Sequence, residues 1–128
     1  MNDNGMIRSK VVHFTDLVAW QEGHKLVLEI YRITKDFPTK ENFILNSQML
    51  RCVISITSNI AEGFSRKGKK EKIQFYSISL GSLTELQNQL IIARDLHYKS
   101  VEKYNMLDQQ TNFSHKLING LIKSAQDR

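Results

Sequence analysis

An all-α fold, arranged as an antiparallel up-down-up-down four-helix bundle, is what this sequence predicts, and three observations carry the prediction. Proline occurs once in 128 residues and the six glycines are scattered, too few breakers for a meander of short strands. Four stretches place apolar residues at three- and four-residue spacing, the period of a helix face. Short polar connectors join them, and short connectors set consecutive helices antiparallel. The length suits one domain with a single core. Residues 1–13 read as a frayed N-terminal arm and residues 14–126 as the bundle.

The first helix is expected to begin near Thr15, a candidate N-cap, with Asp16 in the first turn where the helix dipole favours negative charge. Leu17, Trp20, His24, Val27, Leu28 and Tyr31 form one stripe; Leu26, Ile30, Ile33 and Phe37 form an adjoining one. Together they make a broad apolar face in which His24 reads as a partly buried core histidine. Pro38 ends the element. After a connector, Asn46 is a candidate cap for a second helix from Ser47.

That second segment holds an ambiguity, because Val53 to Thr57 (VISIT) alternates like a strand. At about 100° per residue, Met49, Val53, Ile56, Ile60 and Phe64 fall on one stripe, with Leu50, Ile54, Thr57 and Ala61 widening it. Arg51, Ser55, Ser58 and Glu62 fall nearly opposite. Strand alternation would bury Ser58 and stop at Ala61, whereas the helical sorting holds from Met49 to Phe64. Local β-propensity is too weak to override such a pattern.

Gly63 and Gly68 flank a turn, after which a third helix runs from about Lys69 to His97. Its apolar face is Ile73, Tyr76, Leu80, Leu83, Leu86, Leu90 and Ile91; Ser77, Gly81, Thr84, Glu85 and Asn88 lie on the other side. Ser100 can cap a fourth helix with a weaker stripe through Val101, Tyr104, Leu107, Thr111, Ser114, Ile118, Leu121, Ile122 and Ala125.

Composition narrows the function classes. No apolar run approaches the ~18 residues of a membrane span. The N-terminus lacks the apolar core of a secretory signal. Cys52 is the only cysteine and points to a reducing cytoplasm. The formal net charge is +5. Most of it lies in SRKGKKEK, where Arg66, Lys67, Lys69, Lys70 and Lys72 stand against the single carboxylate Glu71.

With the helices placed, the motifs can be compared with a known family. Phe14-Thr15-Asp16-Leu17 followed by Trp20-Gln21 resembles the opening FxDLxVWQ of the bacterial four-helix bundle proteins, also known as 23S ribosomal RNA intervening-sequence proteins. Ser55 to Phe64 (SITSNIAEGF) is similar to their SIPSNIAEGF core. Lys70-Glu71, Phe75 and the run Leu80 to Leu86 resemble their KxE…F…xGSLxEL. The resemblance spans residues 14–98 in matching order. It implies an all-α bundle that forms homo-oligomers, pentameric rings among them, and that associates with nucleic acid. Some members are encoded in insertions within ribosomal RNA genes. A relative is the accessory protein of diversity-generating retroelements, which partners a reverse transcriptase. No catalytic residue and no cofactor comes with it. Two positions depart from the family pattern. Thr57 stands where proline is usual, so a straighter second helix is expected. Gly23 stands where alanine is usual, at about 1 kcal/mol in propensity unless close packing needs it.

Two constellations are candidate sites. The basic segment, Arg66, Lys67, Lys69, Lys70 and Lys72, can meet the phosphates of RNA or DNA, since clustered Lys and Arg release counterions from a nucleic-acid backbone. The alternative is a solvated turn. Nothing resembles a recognition helix, so such binding would ignore sequence. The second set is Arg51, Ser58, Asn59 and Glu62 on the second helix with Ser82 and Glu85 on the third. It reads as a polar interface between helices or subunits. The competing reading, Glu62 and Glu85 as an acid–base pair in a small hydrolase, requires a deep cleft between those helices. No nucleophile accompanies them, and the four histidines show no metal-ligand spacing. An adaptor that recruits a partner enzyme is the other function class left open.

Overall fold

The structure, a computed structural model, describes residues 10–127. It contains four long helices: α1, Val18–Thr34; α2, Leu45–Ser65; α3, Lys69–Asp95; and α4, Val101–Gln126. Single 3-10 turns at Phe14–Asp16 and Thr39–Glu41 precede α1 and α2. No strand occurs among the described residues. Each helix packs on its sequence neighbours, and α4 closes back onto α1. With connectors this short, the result is the up-down-up-down bundle.

The core follows the helical stripes. Leu26, Ile30 and Ile33 of α1 meet Met49, Val53, Ile56 and Ile60 of α2, Leu83, Leu86 and Leu90 of α3, and Leu107 and Ile118 of α4, all buried. On α1 the buried centre runs through Ala19, Gly23 and Leu26, so the Trp20–Tyr31 stripe turns partly outward. Leu28 and Tyr31 are exposed, and so is His24, contrary to the core position expected for it. A face wider than the helix can bury leaves its outer edge in solvent.

Polar groups enter the core along the α2–α3 seam. Ser79 Oγ donates to the Ile56 carbonyl at 2.8 Å, and the Ser55 and Ser82 hydroxyls meet at 2.8 Å. Gln89 Nε2 donates to Cys52 Sγ at 3.3 Å. The small serines let the two helices approach, and their hydrogen bonds offset the cost of burying them; Gln89 is paired through its Nε2 alone, its buried Oε1 having no partner among the described residues. The weaker stripe of α4 reflects Thr111 and Ser114, polar residues at buried positions.

Capping differs from expectation at two helix starts. Thr15 does not cap α1. It lies inside the 3-10 turn, which Asp16 holds by accepting from the backbone N–H groups of Val12 and His13, both at 3.0 Å. Those bonds hold the Asp16 carboxyl below its usual range, His13 first and Val12 second. α2 begins two residues before Ser47, and Asn46 sits buried in its first turn. Its amide donates to Asn42 Oδ1 at 3.1 Å and to the Thr34 carbonyl at 3.4 Å, so it ties the connector and the end of α1 rather than capping α2. Ser100 does cap α4, accepting from Lys103 N–H at 3.1 Å. α3 ends at Asp95, and His97 adopts φ 61° in the connector. The connectors at that end are tied together by Tyr98 Oη donating to Glu41 at 2.7 Å and by the Lys99–Asp36 ion pair at 3.2 Å. The expected arm of residues 1–13 lies largely outside the described residues; its last four residues are exposed.

Candidate nucleic-acid interface

The basic segment is a tight hairpin between two long helices. α2 runs to Ser65, Arg66 leaves it with extended backbone, and Gly68 precedes the first residue of α3, Lys69. Gly63 is required here: a β-carbon on it would lie 2.7 Å from Tyr76 Cε1, so the helices meet at van der Waals contact just inside the turn.

The five basic side chains divide into two groups. Lys72 turns inward and donates to the carbonyl of Phe64 at 2.9 Å and to that of Gly63 at 3.3 Å, which also accepts from the Arg66 N–H. Its ammonium also lies 5.5 Å from the Phe64 ring centroid. Arg66 folds back onto α2, pairing with Glu62 at 2.6 Å and covering the Phe75 ring at 4.9 Å. Lys67, Lys69 and Lys70 are exposed and make no ion pair among the described residues. Lys69 and Lys70 open α3, where the positive end of the helix dipole makes a cation unfavourable. Gly68, the N-cap of α3, offers no side-chain acceptor for its first N–H groups. Positive charge and unpaired donors therefore converge on one exposed tip.

The second predicted set does not come together as a unit. Asn59 and Ser82 converge on Ser55: Asn59 Nδ2 donates to the Ser55 carbonyl at 2.8 Å and its hydroxyl at 3.0 Å, and Ser82 meets the same hydroxyl. Arg51, Ser58, Glu62 and Glu85 are exposed. Glu62 serves as the partner of Arg66. Neither Glu62 nor Glu85 lines the cavity beside the hairpin or the groove at the opposite end. Sequence reasoning missed Ser55, Ser79 and Gln89 as members of the seam. Ser79 and Gln89 did carry a signal, each standing three residues after a member of the apolar stripe of α3, Tyr76 and Leu86; Ser55, on the polar side of α2, carried none.

Sequence reasoning also missed an aromatic run at the same end of the bundle. Trp20 stacks on His24 with ring centroids 4.8 Å apart and planes 11° from parallel. Phe14 meets Trp20 edge-on at 5.5 Å, and His13 lies 5.8 Å from Phe14. Beside the hairpin is a cavity of about 390 Å³ whose walls include Val11, Leu17, Phe64, Lys72 and Tyr76. At the opposite end Phe43 is 94% exposed and Ile44 65% exposed, next to a groove of about 430 Å³ reaching Ile92 and Leu96. Among the described residues no group of three His, Cys, Asp or Glu side chains is placed to hold a metal ion. No described helix is long and apolar enough to cross a membrane.

Comparison with solved structures finds the same architecture in a crystal structure from Bacteroides thetaiotaomicron VPI-5482. That chain is described as a protein with unknown function from the S23 ribosomal protein family. It superposes with a TM-score of 0.76 at 22% identity, over 83% of this chain and 96% of the other. At that identity the likeness speaks to the fold. No curated protein matches the chain. The family model for the 23S rRNA-intervening sequence protein matches residues 15–120, taking in the 3-10 turn, α1, the hairpin and most of α4. On that match, the chain belongs to the 23S rRNA-intervening sequence protein family.

Proposed function

We propose that this protein is a non-enzymatic, homo-oligomeric helical bundle that binds RNA or DNA through charge, as a component of a cytoplasmic nucleoprotein assembly. One observation carries the reading. Lys67, Lys69 and Lys70 project from a tight hairpin with no carboxylate partner among the described residues, two of them at a helix N-terminus where cations are disfavoured. A folded protein gains nothing internally from that arrangement, whereas a phosphate backbone gains three cations and a set of free N–H groups. Arg66 and Lys72 have the supporting role of fixing the hairpin. In a ring, the pentamer implied by the family resemblance included, the tip repeats around the axis and its field adds.

The test is a gel-shift titration of the intact oligomer against a structured RNA and a duplex DNA at low salt. Retention of both, sharply weakened when Lys67, Lys69 and Lys70 are replaced by Glu, is the expected result. No retention of either by the wild-type protein would end this reading.

A second reading, an adaptor for a partner protein, is favoured by a different observation. Phe43 and Ile44 stand largely in solvent beside an apolar groove, and large exposed apolar groups of this kind mark contact surfaces. A partner that stays bound after nuclease treatment and after reversal of the three lysines, but is released by Phe43→Ser, would support it.

A further inference from the structure

The run His13, Phe14, Trp20 and His24 has no role in the charge-based reading, yet its geometry is specific. The His24 ring lies flat on Trp20, His24 is itself exposed, and Trp20 is braced from the side by Phe14. Gly23 packs against Ile56, Thr57 and Ile60, so His24 stands level with the Ile56–Thr57 turn of α2. From there to the start of the basic turn is roughly 12 Å at 1.5 Å per residue. Leu17 and Lys72 line one cavity, which places the start of α1 directly beside the hairpin. Asp16, on the same 3-10 turn, has its carboxylate occupied by two backbone N–H groups. Flat rings next to a cationic tip are the two parts of a single-strand binding surface: bases stack on the rings and lysines follow the backbone.

We propose that His24 on Trp20 is a base-stacking platform for single-stranded RNA or DNA whose phosphates are held by Lys67, Lys69 and Lys70. The inference rests on the charge-based reading above and adds the class of nucleic acid preferred. A duplex hides its bases and meets only the lysines; a single strand engages both.

Trp20 is the only tryptophan, so its fluorescence reports on the platform directly. The full chain is titrated with an oligodeoxythymidylate of about ten nucleotides, with an abasic strand of equal length and charge, and with a duplex. The account expects the base-bearing strand to change Trp20 emission and the abasic strand to bind without doing so. His24→Leu keeps the Trp20 face covered but removes the flat ring; it weakens the thymidylate strand roughly tenfold and leaves the duplex unchanged. His24→Phe restores the ring and the affinity. Equal affinity for base-bearing and abasic strands, or unchanged emission at saturation, overturns the platform while leaving charge-based binding in place. Failure of every strand to bind overturns both.

Discussion

Thr57 occupies the space a side chain at Gly23 would need: a β-carbon there would sit 2.9 Å from Thr57 Cγ2. The Thr57 methyl cannot readily yield, because its hydroxyl donates to the Ile54 carbonyl at 3.2 Å and threonine is stiff at χ1. Gly23 and Thr57, distant in the sequence, lie side by side in the structure. The propensity cost at Gly23 is therefore offset by a close α1–α2 approach.

From that packing, Gly23→Ala should destabilise the protein when Thr57 is present. With Thr57→Ser, which removes the methyl, the same change should stabilise it by up to about 1 kcal/mol. Urea denaturation of the four proteins in this double-mutant cycle measures the coupling. Additive effects would show that the two side chains do not compete for space.

Gly63 presents a harder case. A β-carbon there meets the buried Tyr76 ring at 2.7 Å and Phe75 Cβ at 3.1 Å, and both belong to the facing helix. Gly63→Ala should lower stability by about 1–3 kcal/mol as α2 and α3 separate. The thermal midpoint from circular dichroism checks this, and an unchanged midpoint would contradict the tight hairpin.

Glu29 links α1 to α4, accepting from Lys103 at 2.7 Å while also pairing with Arg32 at 2.8 Å. The Lys103 hydrogen bond, followed by charge from Lys103 and Arg32, holds its carboxyl below the usual range. A depressed carboxylate pKa adds stability that is present above the ordinary value of 4.5 and disappears as pH falls through the lower folded value. Glu29→Gln should therefore reduce stability near neutral pH by under about 1 kcal/mol, given the partial exposure of both partners. The difference should close on acidification. A gap that persists in acid would place the effect in packing instead.

Burial pushes the Cys52 thiol up, and the Glu85 charge adds to it against the hydrogen bond from Gln89. A raised pKa and 6% exposure keep the thiolate scarce and enclosed. Iodoacetamide should label Cys52 slowly in the native protein and rapidly in urea. Fast native labelling would mean that the α2–α3 seam opens.

The fold was legible because its main signal is periodic. Met49, Val53, Ile56 and Ile60 recur at helical spacing, and all four are buried. What one helix does to another was less legible. Asn46 looks like an N-cap in its local context, but its amide donates to Asn42 Oδ1 and to the Thr34 carbonyl twelve residues away. On α1 two apolar stripes competed for the core; only packing decides that Leu26 and Ile30 go in while His24 and Tyr31 stay out. The basic cluster was visible as a count of charges. Its division into Arg66 and Lys72, which hold the hairpin, and three outward lysines depends on where the α2 carbonyls and Glu62 lie.

The hairpin also yields a prediction in which stability and binding move in opposite directions. Lys69→Glu with Lys70→Glu puts negative charge at the N-terminus of α3 and should raise stability by about 0.3–1 kcal/mol per site. The same pair should weaken nucleic-acid binding. A drop in stability would show that the two lysines have internal partners.

The most direct measurement of the central claim is the salt dependence of duplex affinity, by fluorescence anisotropy, for the wild type and the Lys67→Glu, Lys69→Glu, Lys70→Glu variant. The account predicts a steep wild-type dependence that flattens by about 0.9 in log K against log salt for each phosphate the variant no longer neutralises. Affinity and slope that are the same in both proteins would contradict it.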